Sequence, residues 1–237
     1  MKLTLVTGCD AKYFSFLKRA LNNIFNTINN NEHNNLDINV VFYNLGLTND
    51  QSNEIRNSYP RLIFEIFNFN EYPEHLSLKN YTDINCSYAW KPVIFYEVCE
   101  KYKNLVHWFD TRNLYSNFNN IIKILLEESI YIPASNHIIE KWNHIKTLQY
   151  MDGFKYIKEM SRAACVIGIN YNIDWCQNII KEWKHFSLIK ECIIPEGTDR
   201  NNHRQDQAVL EILYFKYHEK YNFKIIDEFI DVSIQTL

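Results

Sequence analysis

From Leu3 to Asp110 the chain alternates short apolar runs with stretches whose apolar residues recur at helical spacing, and this alternation restricts the fold more than any other feature. Leu3-Thr-Leu-Val-Thr7 ends at Gly8. Phe14, Leu17, Leu21, Ile24, Phe25 and Ile28 then mark one face of a helix over Ala11 to Ile28. Ile38 to Tyr43 is the next β-rich run. Thr48-Asn-Asp-Gln51 has the form of a capping box and leads into a helix ending near Pro60. Leu62 to Phe67 reads as a third strand. Pro92 suits the first turn of a helix running to about Tyr102, since its missing N–H has no partner to lose there. Leu105-Val-His-Trp-Phe-Asp110 is the fourth strand. Strands separated by helices imply an α/β fold with a mostly parallel mixed sheet flanked by helices.

The second half is less regular. Helices are expected at Phe118 to Glu128, Ile138 to Leu148, Asp174 to Phe186 and Asp206 to Tyr217, the last one amphipathic, with a buried strand at Ala163 to Ile169. The tail, Phe223 to Ile234, should add an edge strand or wrap the domain. No repeat and no Gly/Pro/Ser-rich linker divides the 237 residues, so one domain over 1–237 is expected, with a nucleotide-binding half (1–115) and an acceptor and catalytic half (116–237).

A formal net charge of −3 and mixed-sign runs argue against a dedicated nucleic-acid binder. The six cysteines, Cys9, Cys86, Cys99, Cys165, Cys176 and Cys192, show no C-x-x-C or zinc spacing, and most lie in apolar segments, so buried free thiols are expected. The start is too short for a signal-peptide core and no stretch is long enough to span a membrane, which points to a cytoplasmic protein and gives the Asn80 and Asn85 sequons little weight. The abundant Asn, Ile, Lys and Tyr have A/T-rich codons, and Asn29 to Asn35 reads as a polar loop.

Four segments carry chemistry. Ligands of open α/β sheets bind beyond the carboxyl ends of strands, where Asp110 and the turn Thr111-Arg112-Asn113 fall. Asp110 is a candidate ligand for Mn²⁺ or Mg²⁺, which often take one or two protein carboxylates and fill the rest of their sphere with diphosphate oxygens and water. Arg112 stands where a D-x-D would place its second acid; either Asn113 or another segment completes the sphere, or Arg112 binds phosphate itself. Lys91, in Tyr88-Ala-Trp-Lys91-Pro92, puts a cation beside free helical N–H groups suited to phosphate. The turn Thr7-Gly8-Cys9-Asp10 can hold a base and ribose, and equally reads as an ordinary strand-to-helix turn. His203-Arg204-Gln205-Asp206-Gln207 opens a helix; Asp206 and Gln207 satisfy simple capping, whereas His203 and Arg204 offer a base or ligand and a phosphate clamp. Trp142, Trp175 and Trp183 fit packing better than sugar platforms.

In this order the segments resemble the nucleotide-sugar-dependent glycosyltransferases of the GT-A fold, and in particular small glycosyltransferase-like proteins with a Trp-Lys-Pro segment, a W-x-D strand end and an H-R-x-D-Q-x-V-L helix. The Asp206-Gln207 pair is also similar to the D-Q motif of glycogenin-like family 8 transferases. The resemblance covers roughly residues 1–215. It implies that Thr7, Gly8 and Asp10 flank the nucleotide, that Lys91 meets the diphosphate, that Asp110 holds the metal and that Asp206 and Gln207 face the transferred sugar, while Arg112 departs from the pattern. Together with the residue chemistry above, the expected donor-binding set is Thr7, Gly8, Asp10, Lys91, Arg112 and Arg204, the metal set Asp110 with Asn113, and the catalytic set Asp206, Gln207 and His203. The partners implied are a nucleotide-sugar donor and a hydroxyl acceptor. A sugar- or nucleotide-binding descendant without turnover, and a glycoside hydrolase using Asp110 with Asp206, are the competing readings.

Overall fold

The structure, a computed structural model, describes residues 2–30, 37–78 and 87–235. In chain order the elements are β1 (Lys2–Asp10), α1 (Phe14–Asn30), β2 (Asp37–Gly46), α2 (Asn49–Ser58), β3 (Ile63–Ile66), α3 (Trp90–Tyr102), β4 (Leu105–Phe109), β5 (Asn113–Tyr115), α4 (Asn119–Glu127), β6 (Ile130–Tyr131), β7 (Ala134–Ile138), α5 (Ile139–Trp142), α6 (Ile145–Tyr150), β8 (Met160–Arg162), β9 (Val166–Asn170), α7 (Asp174–Ser187), α8 (Lys190–Ile193), α9 (Gln205–Tyr221) and β10 (Val232–Ile234). Cys86, both sequons and most of the Asn29 to Asn35 run lie outside the described residues.

The main sheet has the order β3-β2-β1-β4-β9-β6. β1 pairs in parallel with β2 and β4, and β2 with β3, while β9 runs antiparallel to both β4 and β6. Strands β1 to β4 come from the first 115 residues, and β6 and β9 from the remainder. The order reverses at β1: the chain moves outward through β2 and β3, then crosses back to place β4 on the other side. Such a reversal opens a crevice at the carboxyl ends of the two strands.

Alternating side chains give the sheet two apolar faces. Val6, Val41, Val106 and Trp108 pack with α3, α7 and α9. Leu3, Leu5, Phe42, Leu105 and Phe109 pack with α1 and α4. Each fully buried Leu, Ile or Val contributes about 1.5–3 kcal/mol, and both faces are filled. Gly168 in β9 permits the close approach of α4, since a Cβ there would lie 2.9 Å from Leu125 Cδ2 and 3.2 Å from His107 Nδ1.

The capping box forms as expected: Thr48 Oγ1 accepts from Gln51 N at 3.2 Å and Gln51 Oε1 accepts from Thr48 N at 3.0 Å. Three expectations need correction. The single helix over Ile138 to Leu148 is instead a strand end followed by two short helices, because Asn143 and His144 adopt extended backbone angles; the Asn143 side chain is drawn inward to Ala208 O and Glu211, and His144 caps α6. α9 is not amphipathic, since every residue from Ala208 to Phe215 is buried. The tail does form a strand, but β10 pairs with β5 in a separate two-stranded ladder, not with the main sheet. The five described cysteines are free.

Candidate active site

Lys91 lies in the first turn of α3, where the chain enters the crevice, and its side chain is buried. Its ammonium is 3.0 Å from Asp206 Oδ2 and 3.3 Å from Asp110 Oδ1, and it donates to Ala164 O at 3.3 Å. The contact with Ala164 O is a hydrogen bond, whereas the two carboxylate contacts are ion pairs, and Asp206 Oδ2 accepts no hydrogen bond among the described residues. Burial alone would lower the Lys91 pKa, but the charges of Asp110 and Asp206 outweigh it and raise the pKa, so the group is charged. As placed, Lys91 meets carboxylates; contact with a phosphate would require it to give up one of its three partners.

Asp110 follows β4 directly. Its Oδ1 also accepts from Trp108 Nε1 at 2.8 Å, so the W-x-D spacing has a local reason: the indole two residues back orients the carboxylate. The turn closes through Asn113 N to Asp110 O at 2.9 Å. Asn113 is buried and does not line the cleft, because the turn carries it into β5. Its proposed place in a metal sphere is not where the structure puts it. Arg112 does line the cleft, yet Nε and Nη2 donate to Gln235 O at 3.0 and 2.6 Å, so its fork is held by the chain just after β10.

The segment opening α9 divides sharply. His203 is fully buried; Nδ1 accepts from His144 N at 3.2 Å, and Nε2 lies 2.8 Å from Ile193 O. Burial lowers its pKa to about 4. With one nitrogen accepting and the other donating to main chain, the ring is neutral and structural, and it is outside the cleft. The arrangement overturns the expectation that it acts as base or ligand. Arg204 stacks on Trp142, its guanidinium carbon 4.0 Å from the ring centroid, and among the described residues its side chain donates no hydrogen bond, which leaves a cation able to meet an anion. Asp206 sits in the first turn of α9, its backbone carbonyl accepting from Trp183 Nε1 at 2.9 Å. Burial pushes its carboxyl pKa up against the pull of Lys91. Gln207 donates through Nε2 to Ser161 Oγ at 2.9 Å. Backbone strain flanks both charged groups, with Tyr88 at φ +49 before Lys91 and Gln205 at φ +34 before Asp206. Each costs about 1–3 kcal/mol, a cost concentrated at functional sites.

These groups line one cleft of about 690 Å³. Gly8 and Asp10 reach it from the end of β1, and a Cβ on Gly8 would lie 3.2 Å from Tyr43 O. Thr7 does not reach it, because it is fully buried beneath that strand end. The structure also brings in Arg200, Tyr88 and Cys165, which the sequence reading did not single out as site residues. Arg200 sits in the irregular loop before α9, with no motif around it, and only the folding of that loop against Tyr88 places it here. Charged residues of the lining number four cations (Lys91, Arg112, Arg200, Arg204) and three carboxylates (Asp10, Asp110, Asp206), so the cleft favours an anion. Among the described residues no three His, Cys, Asp or Glu side chains gather as a metal-binding group.

No protein-family model and no curated protein sequence matches the chain. Solved structures do. The galactosyltransferase LgtC, in complex with donor and acceptor sugar analogs, superposes with a TM-score of 0.50 at 17% identity, covering 90% of this chain and 70% of that one. Mouse xyloside xylosyltransferase 1 gives a TM-score of 0.55 at 9% identity, over 92% and 83% of the two chains. Core-mannan synthase A from Aspergillus fumigatus, in an Mn/GDP form, gives 0.54 at 7% identity over 90% and 69%. This is the GT-A glycosyltransferase fold. Identities this low establish the GT-A architecture alone, and the chemistry of the cleft has to be argued from its own residues. No helix of the described residues is long and apolar enough to cross a membrane.

Proposed function

We propose that this protein is a glycosyltransferase that moves a sugar from a nucleotide-diphospho-sugar to a hydroxyl acceptor. The observation that carries the reading is the Asp110–Lys91–Asp206 cluster. Two carboxylates from elements ninety-six residues apart meet one buried ammonium at the carboxyl ends of the parallel strands, inside a cationic cleft of the GT-A fold. A structural ion pair needs neither the cleft nor Arg204 in its lining, whose side chain donates no hydrogen bond among the described residues.

The strand-end turn with Gly8 and Asp10 faces the nucleoside. Arg204, and Arg200 beside it in the lining, neutralise the diphosphate, and Gln207 and Asp206 face the transferred sugar. The acceptor oxygen bonds to the anomeric carbon as the bond from that carbon to the diphosphate oxygen breaks. The electron pair leaves with the diphosphate, and the acceptor's proton passes to a base. Asp206 suits that role, because burial raises its proton affinity against the opposing pull of Lys91.

The donor atoms present fit a hard divalent ion, since Asp110 keeps one oxygen outside the Lys91 pair, and diphosphate oxygens and water supply the rest of such a sphere. Mn²⁺ or Mg²⁺ held there would offset charge on the leaving diphosphate. One observation favours a second reading, a nucleotide-sugar-binding protein without turnover: Arg112 replaces the second acid of a D-x-D and is tied to Gln235 O. Thermal stabilisation by a panel of nucleotides and nucleotide-sugars, with and without Mn²⁺, tests the proposal. A shift with one nucleotide-sugar followed by its turnover supports transfer, a shift without turnover supports the binding reading, and no shift with any member removes both.

A further inference from the structure

Behind Gln207 runs a hydrogen-bonded chain into the protein interior, and it has a direction. Gln207 Nε2 donates to Ser161 Oγ at 2.9 Å; Ser161, fully buried in β8, donates its hydroxyl hydrogen to Glu211 Oε2. Glu211 is likewise fully buried, one turn further along α9, and also accepts from Arg162 N at 3.1 Å and from Asn143 Nδ2. A hydroxyl has one hydrogen to give. When Glu211 is ionised its Oε2 can only accept, from Arg162 N and from Ser161, so the Ser161 hydrogen points to Glu211 and only its lone pairs face Gln207. Turning the Gln207 amide over would set its carbonyl oxygen against the serine oxygen with no hydrogen between them.

We propose that Glu211 is a positioning residue which, through Ser161, fixes the Gln207 amide so that its carbonyl oxygen is presented to the cleft as an acceptor for a hydroxyl of the transferred sugar. This rests on the glycosyltransferase reading for the identity of the ligand, but not for the orientation. Among the described residues Gln207 Oε1 accepts no hydrogen bond, while Gln207 lines the cleft and its amide nitrogen is engaged from behind. A buried carboxylate at this position is otherwise a cost, since desolvation opposes its charge and no cationic side chain forms an ion pair with it among the described residues. Capping cannot explain it, because Glu211 lies in the second turn of α9.

The test has two arms. The first is the Gln207 side-chain ¹⁵N–¹H pair, assigned by its loss in Gln207→Met. In the wild type the two amide protons are well separated, one of them shifted by the bond to Ser161; Ser161→Ala collapses the separation. Glu211→Gln retains it, because the new carbonyl can still accept from Arg162 N and Ser161, while the new amide nitrogen donates to Asn143 Oδ1, which has no partner among the described residues, once that amide turns over. The second arm compares a nucleoside diphosphate with its sugar-bearing form, using whichever pair stabilises the wild type. Ser161→Ala leaves diphosphate binding unchanged but lowers kcat for the sugar donor by about tenfold, the scale of one lost hydrogen bond, whereas Glu211→Gln keeps most of the wild-type rate. An unchanged amide pair in Ser161→Ala overturns the orientation, and equal loss of diphosphate and sugar-donor binding overturns the positioning role. If no nucleotide stabilises the wild type, the function proposed above fails, while the amide spectrum still decides the relay.

Discussion

Replacing Lys91 with Met removes the ammonium between Asp110 and Asp206 and keeps most of the side-chain volume. The Lys91 and Asp206 side chains are 6% and 8% exposed, and their charged atoms are 3.0 Å apart. At an effective dielectric constant of ~20, that separation corresponds to about 5 kcal/mol of attraction, much of it offset in the wild type by desolvation. Removing one partner strands the other, which costs about 3–5 kcal/mol. The Asp110 side chain is 40% exposed, and solvent screening limits its share to about 1 kcal/mol or less. The loss must depend on pH in one direction. Without Lys91, the folded-state pKa of the buried Asp206 rises further above its unfolded value. Its penalty is therefore absent below the unfolded pKa, where Asp206 is protonated in both states, and grows as pH rises toward the folded pKa. Urea unfolding followed by tryptophan fluorescence, with chelator present, should show a deficit of about 3–5 kcal/mol at pH 8 that shrinks by more than half at pH 5. Lys91→Met combined with Asp206→Asn should be more stable at pH 8 than Lys91→Met alone. A deficit that is absent at pH 8, or unchanged by pH, would refute the reasoning.

Asp110→Ala should abolish nucleotide-sugar turnover, with kcat down at least 100-fold, while its circular dichroism and melting cooperativity match the wild type; wild-type turnover would remove the central assignment. Burial raises the Glu211 pKa from 4.5 to about 8, so this group destabilises the fold progressively as pH climbs through that interval. Glu211→Gln should flatten the corresponding fall in Tm between pH 5 and pH 8.5, and an unaltered slope would contradict the raised pKa. His203→Ala should lower stability by about 2–3 kcal/mol through the orphaned main-chain groups of His144 and Ile193, yet leave kcat at low temperature within about threefold; a loss of turnover on the scale of Asp110→Ala would return His203 to the chemistry.

What could be read along the chain was whatever local periodicity and capping chemistry encode. The β1-to-β4 alternation, the Thr48 capping box and the placement of Asp110 at a strand end each depend on contacts within about a dozen residues, and each is present. The Ile138 to Leu148 helix failed because the competing partner of Asn143 lies at Glu211, sixty-eight residues away. His203 was ambiguous for the same reason: a histidine next to an arginine and an acid looks like chemistry until both ring nitrogens are found on the main chain of His144 and Ile193.

The sequence alone determined the α/β class, the order of the first strands and helices, and the residue types available for an anionic ligand, because strand alternation, helical spacing and turn residues are local physics. Tertiary structure decided which of those residues meet. Only the meeting of the first turns of α3 and α9 at the end of β4 sets Asp110 and Asp206 about one ammonium. Only the packing of β8 against α9 turns Ser161 and Glu211 toward Gln207. Charge, hydrogen-bond direction and exclusion from water act through space over about 3 Å, and separation along the chain carries no record of that distance.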